Sequence, residues 1–118
     1  MPWIYDQESG RFYTPRGVEV TSGVSGDFMH VNYSPSQALL FAGPIPRGFY
    51  QIGHPYHHPV LGPVTMDLSP IGHTALDRHD FRIHGTGGHH WASAGCIILG
   101  PETRMQIAMS GDRLLTVR

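Results

Sequence analysis

The sequence predicts a mainly β fold, a sandwich or partly closed barrel with one short helix near the C-terminus, on three observations. The 15 glycines and 10 prolines of the 118 residues fall between short apolar runs and punctuate them. Several of those runs carry β-branched or aromatic residues, or alternate apolar and polar residues with the period of two that a half-buried strand requires. Only the segment after Pro101 fits a helix.

Taken in order, residues 3–5, 11–14 and 18–20 are short strand-like runs separated by Ser9-Gly10 and Pro15-Arg16-Gly17, which predicts a hairpin or small meander. The Ser/Gly stretch 21–26 and the Asn/Ser/Pro stretch 32–36 read as loops. Gly43-Pro44-Ile45-Pro46-Arg47-Gly48 is a rigid turn into Phe49-Tyr50-Gln51-Ile52, an aromatic strand. Residues 54–62 read as a further loop, followed by Val64, Met66 and Leu68 alternating with Thr65 and Asp67. Phe81 and Ile83 flank Arg82 in the same way. Met105, Ile107, Ala108 and Met109 fit one helix with Pro101 near its first turn and Gly111 past its end, and residues 114–117 close the chain as a strand. No repeat or linker divides the sequence, so 1–118 is one domain, long enough to bury a core without disulfides or structural metal.

Charge and cysteine content narrow the function. Eight Lys+Arg face nine Asp+Glu, so there is no basic field for a phosphate backbone, and nucleic acid is excluded as a partner. No apolar run approaches the ~20 residues of a membrane span, which excludes insertion, and the N-terminus carries no signal-peptide pattern, so synthesis in the cytoplasm is expected. The one cysteine, Cys96, has no partner for an intramolecular disulfide. A lone cysteine is more often a small buried hydrophobe than a nucleophile. Here its surroundings favour chemistry. The segment 81–99 runs from a strand ending in His84, through a glycine-rich loop, to Ser93-Ala94-Gly95-Cys96 and a second apolar run. Two such strands side by side bring His84 and Cys96 to one end of a sheet. A thiol needs an adjacent imidazole to take its proton at neutral pH, and Gly95 lets the chain bend so that the Cys96 amide can serve an oxyanion. The group that orients the imidazole is left open among the carbonyls of Gly85 and Thr86 and the hydroxyl of Ser93.

His84-Gly85-Thr86 followed by Ser93-Ala94-Gly95-Cys96-Ile97 resembles the L,D-transpeptidase motif, in which a histidine precedes a Ser/Thr-x-Gly-Cys turn. Gly43-Pro44-Ile45-Pro46-Arg47-Gly48, with Trp3, Tyr5, Ser25-Gly26, Arg78 and 81–85, resembles the branch of short toxins delivered by type VI secretion systems. The resemblance implies a Cys96 acyl-enzyme formed on peptidoglycan tetrapeptide stems, with hydrolysis (L,D-carboxypeptidase action), D-amino-acid exchange or cross-linking as its fates. It further implies no cofactor, action in a target cell's periplasm, a secretion-machine carrier and a cognate immunity protein. Many cell-wall enzymes of the family carry a second histidine before Gly-Cys and an Arg or Asn shortly after it. Ala94 and Ile97-Ile98 stand there in this chain, which favours trimming or exchange over cross-linking.

Three further residues are expected to meet substrate: Arg78, as a bidentate partner for a stem carboxylate, Thr86, and Trp91 as a wall of the cleft. Arg82 is expected on the face opposite Phe81 and Ile83. The alternatives are a zinc-dependent hydrolase using His54, His57, His58, His89 and His90, and a cell-wall-binding module without chemistry. The histidines match no zinc-ligand spacing, so no metal site is assigned.

Overall fold

The computed structural model describes residues 2–26, 28–40, 42–85 and 95–118. Ten strands are present: β1 (Trp3–Tyr5), β2 (Arg11–Tyr13), β3 (Glu19–Ser22), β4 (Val24–Ser25), β5 (Gly48–Ile52), β6 (Tyr56–His58), β7 (Gly62–Ile71), β8 (Phe81–His84), β9 (Ile97–Ile98) and β10 (Leu114–Val117). One helix, α1 (Pro101–Met109), precedes the last strand. Nine strands follow one another in a mixed sheet in the order β3-β2-β1-β10-β5-β7-β8-β9-β4, and β6 folds back on β7. The parallel pairings are β1 with β10 and β8 with β9.

The strands at the two ends of this order are joined in sequence by Gly23 alone. The sheet therefore curls until its ends meet, and segment 19–25 pairs with β2 in its first half and with β9 in its second. The result is a nearly closed barrel, a mainly β architecture with one short C-terminal helix. The Ser/Gly stretch 21–26, read as a loop from composition, is thus the strand that closes it. Small residues are needed there because backbones converge: the Gly23 N–H donates to the Gly10 carbonyl at 2.7 Å, and a Cβ on Gly23 would lie 2.5 Å from the Ile98 carbonyl oxygen. Asn32 locks the seam. Its Oδ1 accepts from the Tyr5 hydroxyl at 2.6 Å and from the Ser25 N–H at 3.1 Å, and its own N–H donates to the Ser25 carbonyl at 2.8 Å.

Alternation sends Tyr5, Phe12, Tyr50, Met66, Ile83, Ile97 and Leu115 into the barrel, where Ile45 and Ile107 join them, all with no exposed surface. Residues 54–62, expected as a loop, contain β6, which pairs with β7 through Tyr56 and His58. The helix begins with Pro101 in its first turn, where a missing N–H costs nothing. Its buried side is Thr103, Arg104 and Ile107, with Ala108 partly covered. That stripe follows the i, i+3, i+4 spacing and turns Met105 and Met109 to solvent.

The seam makes a quantitative prediction. Gly10 and Gly17 both have positive φ, but a Cβ at Gly17 meets nothing within 4 Å, whereas one at Gly10 collides with the Gly23 carbonyl. Gly17→Ala should cost only the left-handed conformation, about 1 kcal/mol, and Gly10→Ala clearly more, about 3 kcal/mol, by urea unfolding.

Candidate active site

The parallel register of β8 and β9 sets Ile83 opposite Ile97 and His84 opposite Ile98. Since side chains alternate across a strand, Ile83 and Ile97 fill the barrel while Arg82, His84, Cys96 and Ile98 share its outer face. Cys96, the residue just before β9, thus falls diagonal to His84 in this register.

The turn before the thiol is held from three sides. Gly95 has φ 114, and a Cβ there would lie 2.5 Å from Arg78 Nη2 and 2.8 Å from the Phe81 ring. Only glycine fits. The Gly95 carbonyl accepts from the Ser25 hydroxyl at 2.8 Å, and Ser25 Oγ itself accepts the Ile45 N–H at 2.8 Å. A trans peptide holds its C=O and N–H antiparallel, so Ser25 also sets the direction of the Cys96 N–H, away from itself. Arg78, expected to meet substrate, lines a cleft beside β7 and β8, but its guanidinium is engaged by the main chain. Its guanidinium is buried, donates to the carbonyls of Gln37 (2.6 Å), Pro44 (2.7 Å) and Gly43 (2.9 Å), and lies over the Phe81 ring. It ties the carbonyls of Gln37, Gly43 and Pro44 to the turn at Gly95.

His84 is 5% exposed, and its Nδ1 lies 2.5 Å from the Gly85 carbonyl oxygen. A carbonyl only accepts, so Nδ1 carries the proton and Nε2 the lone pair. Of the three orienting groups left open by the sequence, Gly85 is the one among the described residues, and its carbonyl lies on Nδ1. Burial lowers the imidazole pKa below its ordinary 6.5; the Gly85 carbonyl opposes this, and Arg104, His58 and Arg82 add to the lowering. The Cys96 thiol moves the other way, raised above its ordinary 9.0 chiefly by burial, against the Arg82 N–H and guanidinium, which favour the thiolate, with Asp80 and Asp67 adding to the rise. At neutral pH both groups are therefore neutral. Sγ donates to the Asp80 carbonyl at 3.5 Å, an orientation set by the left-handed φ of Asp80, 65°.

A cleft of about 510 Å³ lies beside β7 and β8, lined by Asp67, Pro70, Arg78, Asp80, Phe81 and Arg82 among others. Arg82 closes part of its wall: Nε donates to Asp67 at 3.1 Å and to the Tyr56 hydroxyl at 3.2 Å, and that hydroxyl donates to Asp67 at 2.7 Å. A smaller cleft, about 300 Å³, lies on the β9 side. Thr86, Trp91 and Ser93, with His89 and His90, lie outside the described residues. Among the described residues no three His, Cys, Asp or Glu side chains converge as a metal site. Ser25 and Arg104 were not singled out as site residues from sequence. Ser25 sits in a stretch that reads as loop, and a helix arginine ordinarily reads as solvated.

No protein-family model matches the chain, and no curated protein does. Among solved structures it is similar to the L,D-transpeptidase from Mycobacterium smegmatis, with 16% identity, 98% of this chain covered, 57% of that chain covered, and a TM-score of 0.49. The chain thus spans little more than half the length of that protein.

Two measurements check the site. Ser25→Ala strips a partner from the buried Gly95 carbonyl and from the Ile45 N–H, and should cost about 2–4 kcal/mol in urea unfolding. For His84, a folded pKa below the unfolded one means that the unfolded chain binds the proton more readily. Its contribution is complete above about pH 6.5 and is lost as pH falls through the folded value. The urea midpoint should fall between pH 7.5 and pH 5, less steeply in His84→Gln, and alkylation of Cys96 by iodoacetamide should keep accelerating above pH 9.0.

Proposed function

We propose that the protein is a cysteine acyltransferase of the L,D-transpeptidase type, acting on the tetrapeptide stems of peptidoglycan. The observation that carries this reading is the tautomer of His84. With Nδ1–H committed to Gly85, Nε2 is left as a base on the face that it shares with Cys96. The motif resemblance supplies the substrate class.

In the reaction, Nε2 of His84 takes the thiol proton as Sγ attacks the carbonyl of the diamino acid. The C–N bond to the terminal D-Ala then breaks, and its amine leaves with the proton from His84. A thioester remains. Water attacking this acyl-enzyme, again with His84 as base, releases the shortened stem, while the amine of a D-amino acid gives exchange. The Cys96 N–H, aimed by Ser25, is the donor that we assign to the oxyanion. Ala94 and Ile97-Ile98 favour these two outcomes over cross-linking. On the same resemblance we read the protein as a type VI secretion effector that works in the periplasm of a target cell and is countered by an immunity protein.

The test is intact mass spectrometry of disaccharide-tetrapeptide incubated with the protein, with and without D-Met. Wild type should release D-Ala or replace it with D-Met. Cys96→Ala and His84→Ala should lose this by about 10³-fold or more while remaining folded. An unchanged substrate with wild type, or activity retained in both variants, would sink the reading.

A further inference from the structure

We infer that the smaller cleft is a carboxylate-binding subsite, in which Arg104 and the start of α1 hold the free α-carboxylate of a terminal D-amino-acid residue. The cleft, about 300 Å³, is walled by Gly23 and Val24 of the seam, Ile98 of β9, Gly100 and Arg104. Val24 pairs with Ile98, and Ile98 stands opposite His84, so the cleft opens on the face that carries the proposed base.

Arg104 is the reason to expect an anion there. The residue is 8% exposed, and buried charges are normally paired. Its Nε donates to the Leu99 carbonyl at 3.0 Å and its Nη1 to the Pro63 carbonyl at 2.6 Å, but among the described residues no carboxylate forms an ion pair with it and Nη2 donates to none of them. Nη2 lies against Gly85, where a Cβ would come within 2.6 Å. A glycine therefore keeps the guanidinium level with the strand that carries His84. Burial alone lowers the arginine's pKa, with no acid offsetting it. Glu102 is exposed and two positions away on the helix, so it does not share the side of α1 that Arg104 occupies.

The helix supplies the second half of the site. α1 has nine residues, its N-cap is Gly100, and no side chain caps it, so the positive end of its dipole meets a cleft that Arg104 also lines. A carboxylate takes bidentate bonds from a guanidinium, and phosphate does so too, but the room beside Val24 and Ile98 suits an α-carboxylate with a methyl group.

The inference rests on the stem-peptide reading for its substrate, but its test does not need turnover. N-acetyl-D-alanine and N-acetyl-D-alaninamide are titrated into the ¹⁵N-labelled wild-type protein. The acid should move the amide resonances of Gly23, Ile98, Gly100 and Arg104 together with the Arg104 Nε–H signal. The amide should bind about tenfold or more weakly, and Arg104→Gln, checked for folding by its own spectrum, should remove the difference. Equal responses to acid and amide, or responses absent from the cleft, would overturn the subsite whether or not the variant folds. Trimming of tetrapeptide without acid-selective binding overturns the subsite alone; acid-selective binding without trimming supports the subsite and overturns the stem-peptide reading.

Discussion

One hydroxyl group joins the architecture to the chemistry. Ser25 belongs to the segment that closes the barrel, and its Oγ both receives the Ile45 N–H and donates to the Gly95 carbonyl. Three stretches far apart in sequence therefore meet at one oxygen: the seam strand, the Pro-rich turn before β5, and the turn that presents the thiol. Without closure there is no Ser25 beside Gly95, and the peptide preceding Cys96 loses its orientation. This explains why the residue joining β3 to β4 is Gly23, a poor strand former, where a β-branched residue would give a better strand. At a place where the Gly23, Gly10 and Ile98 backbones converge, side-chain volume is the limiting quantity.

The electrostatics follow from the same close packing. His84 and Cys96 are both nearly buried, and burial, the largest influence on each, disfavours an imidazolium and a thiolate alike. An ion pair at rest would have to overcome two desolvation terms at once. A neutral pair avoids both, and in the proposed reaction it would leave the imidazole ready to receive the thiol proton. The Gly85 carbonyl works against desolvation, but its more specific consequence is the tautomer, since it commits Nδ1 to a proton and Nε2 to a lone pair.

Sequence alone singles out His84, Gly95 and Cys96 as candidates because their signal is local: a strand end, a glycine loop and a second strand within 19 residues. The β-rich architecture is legible for the same reason, since β5, β7, β8 and β10 carry aromatic, β-branched or alternating runs. What is illegible depends on distant partners. Segment 21–26 looks like a loop because its composition answers to the crowding of the seam, and β6 is hidden by histidine and proline although β7 offers it an edge. The role of Arg78 is invisible because its partners are carbonyls some 34–41 residues away, which no side-chain pattern records.

Arg78 and Arg104 show why burial of a cation does not by itself define its task. A guanidinium has five N–H donors in one plane. Arg78 directs Nη1 to two carbonyls and Nη2 to a third while its face lies over Phe81, and a carboxylate brought to it would compete with the main chain that it holds in place. Arg104 uses Nε and Nη1 on carbonyls at either side, which fixes the plane of the group, and among the described residues Nη2 has no acceptor. The first pattern immobilises a loop. The second immobilises an arginine, and a cation held rigid beside a cleft, with its desolvation cost already met in folding, binds an anion with little further loss of side-chain entropy. The same arginine lowers the pKa of His84, so a carboxylate seated on it would offset that effect and make the imidazole a stronger base when substrate is bound. Recognition on one side of the strand pair would then be coupled through charge to proton transfer on the other.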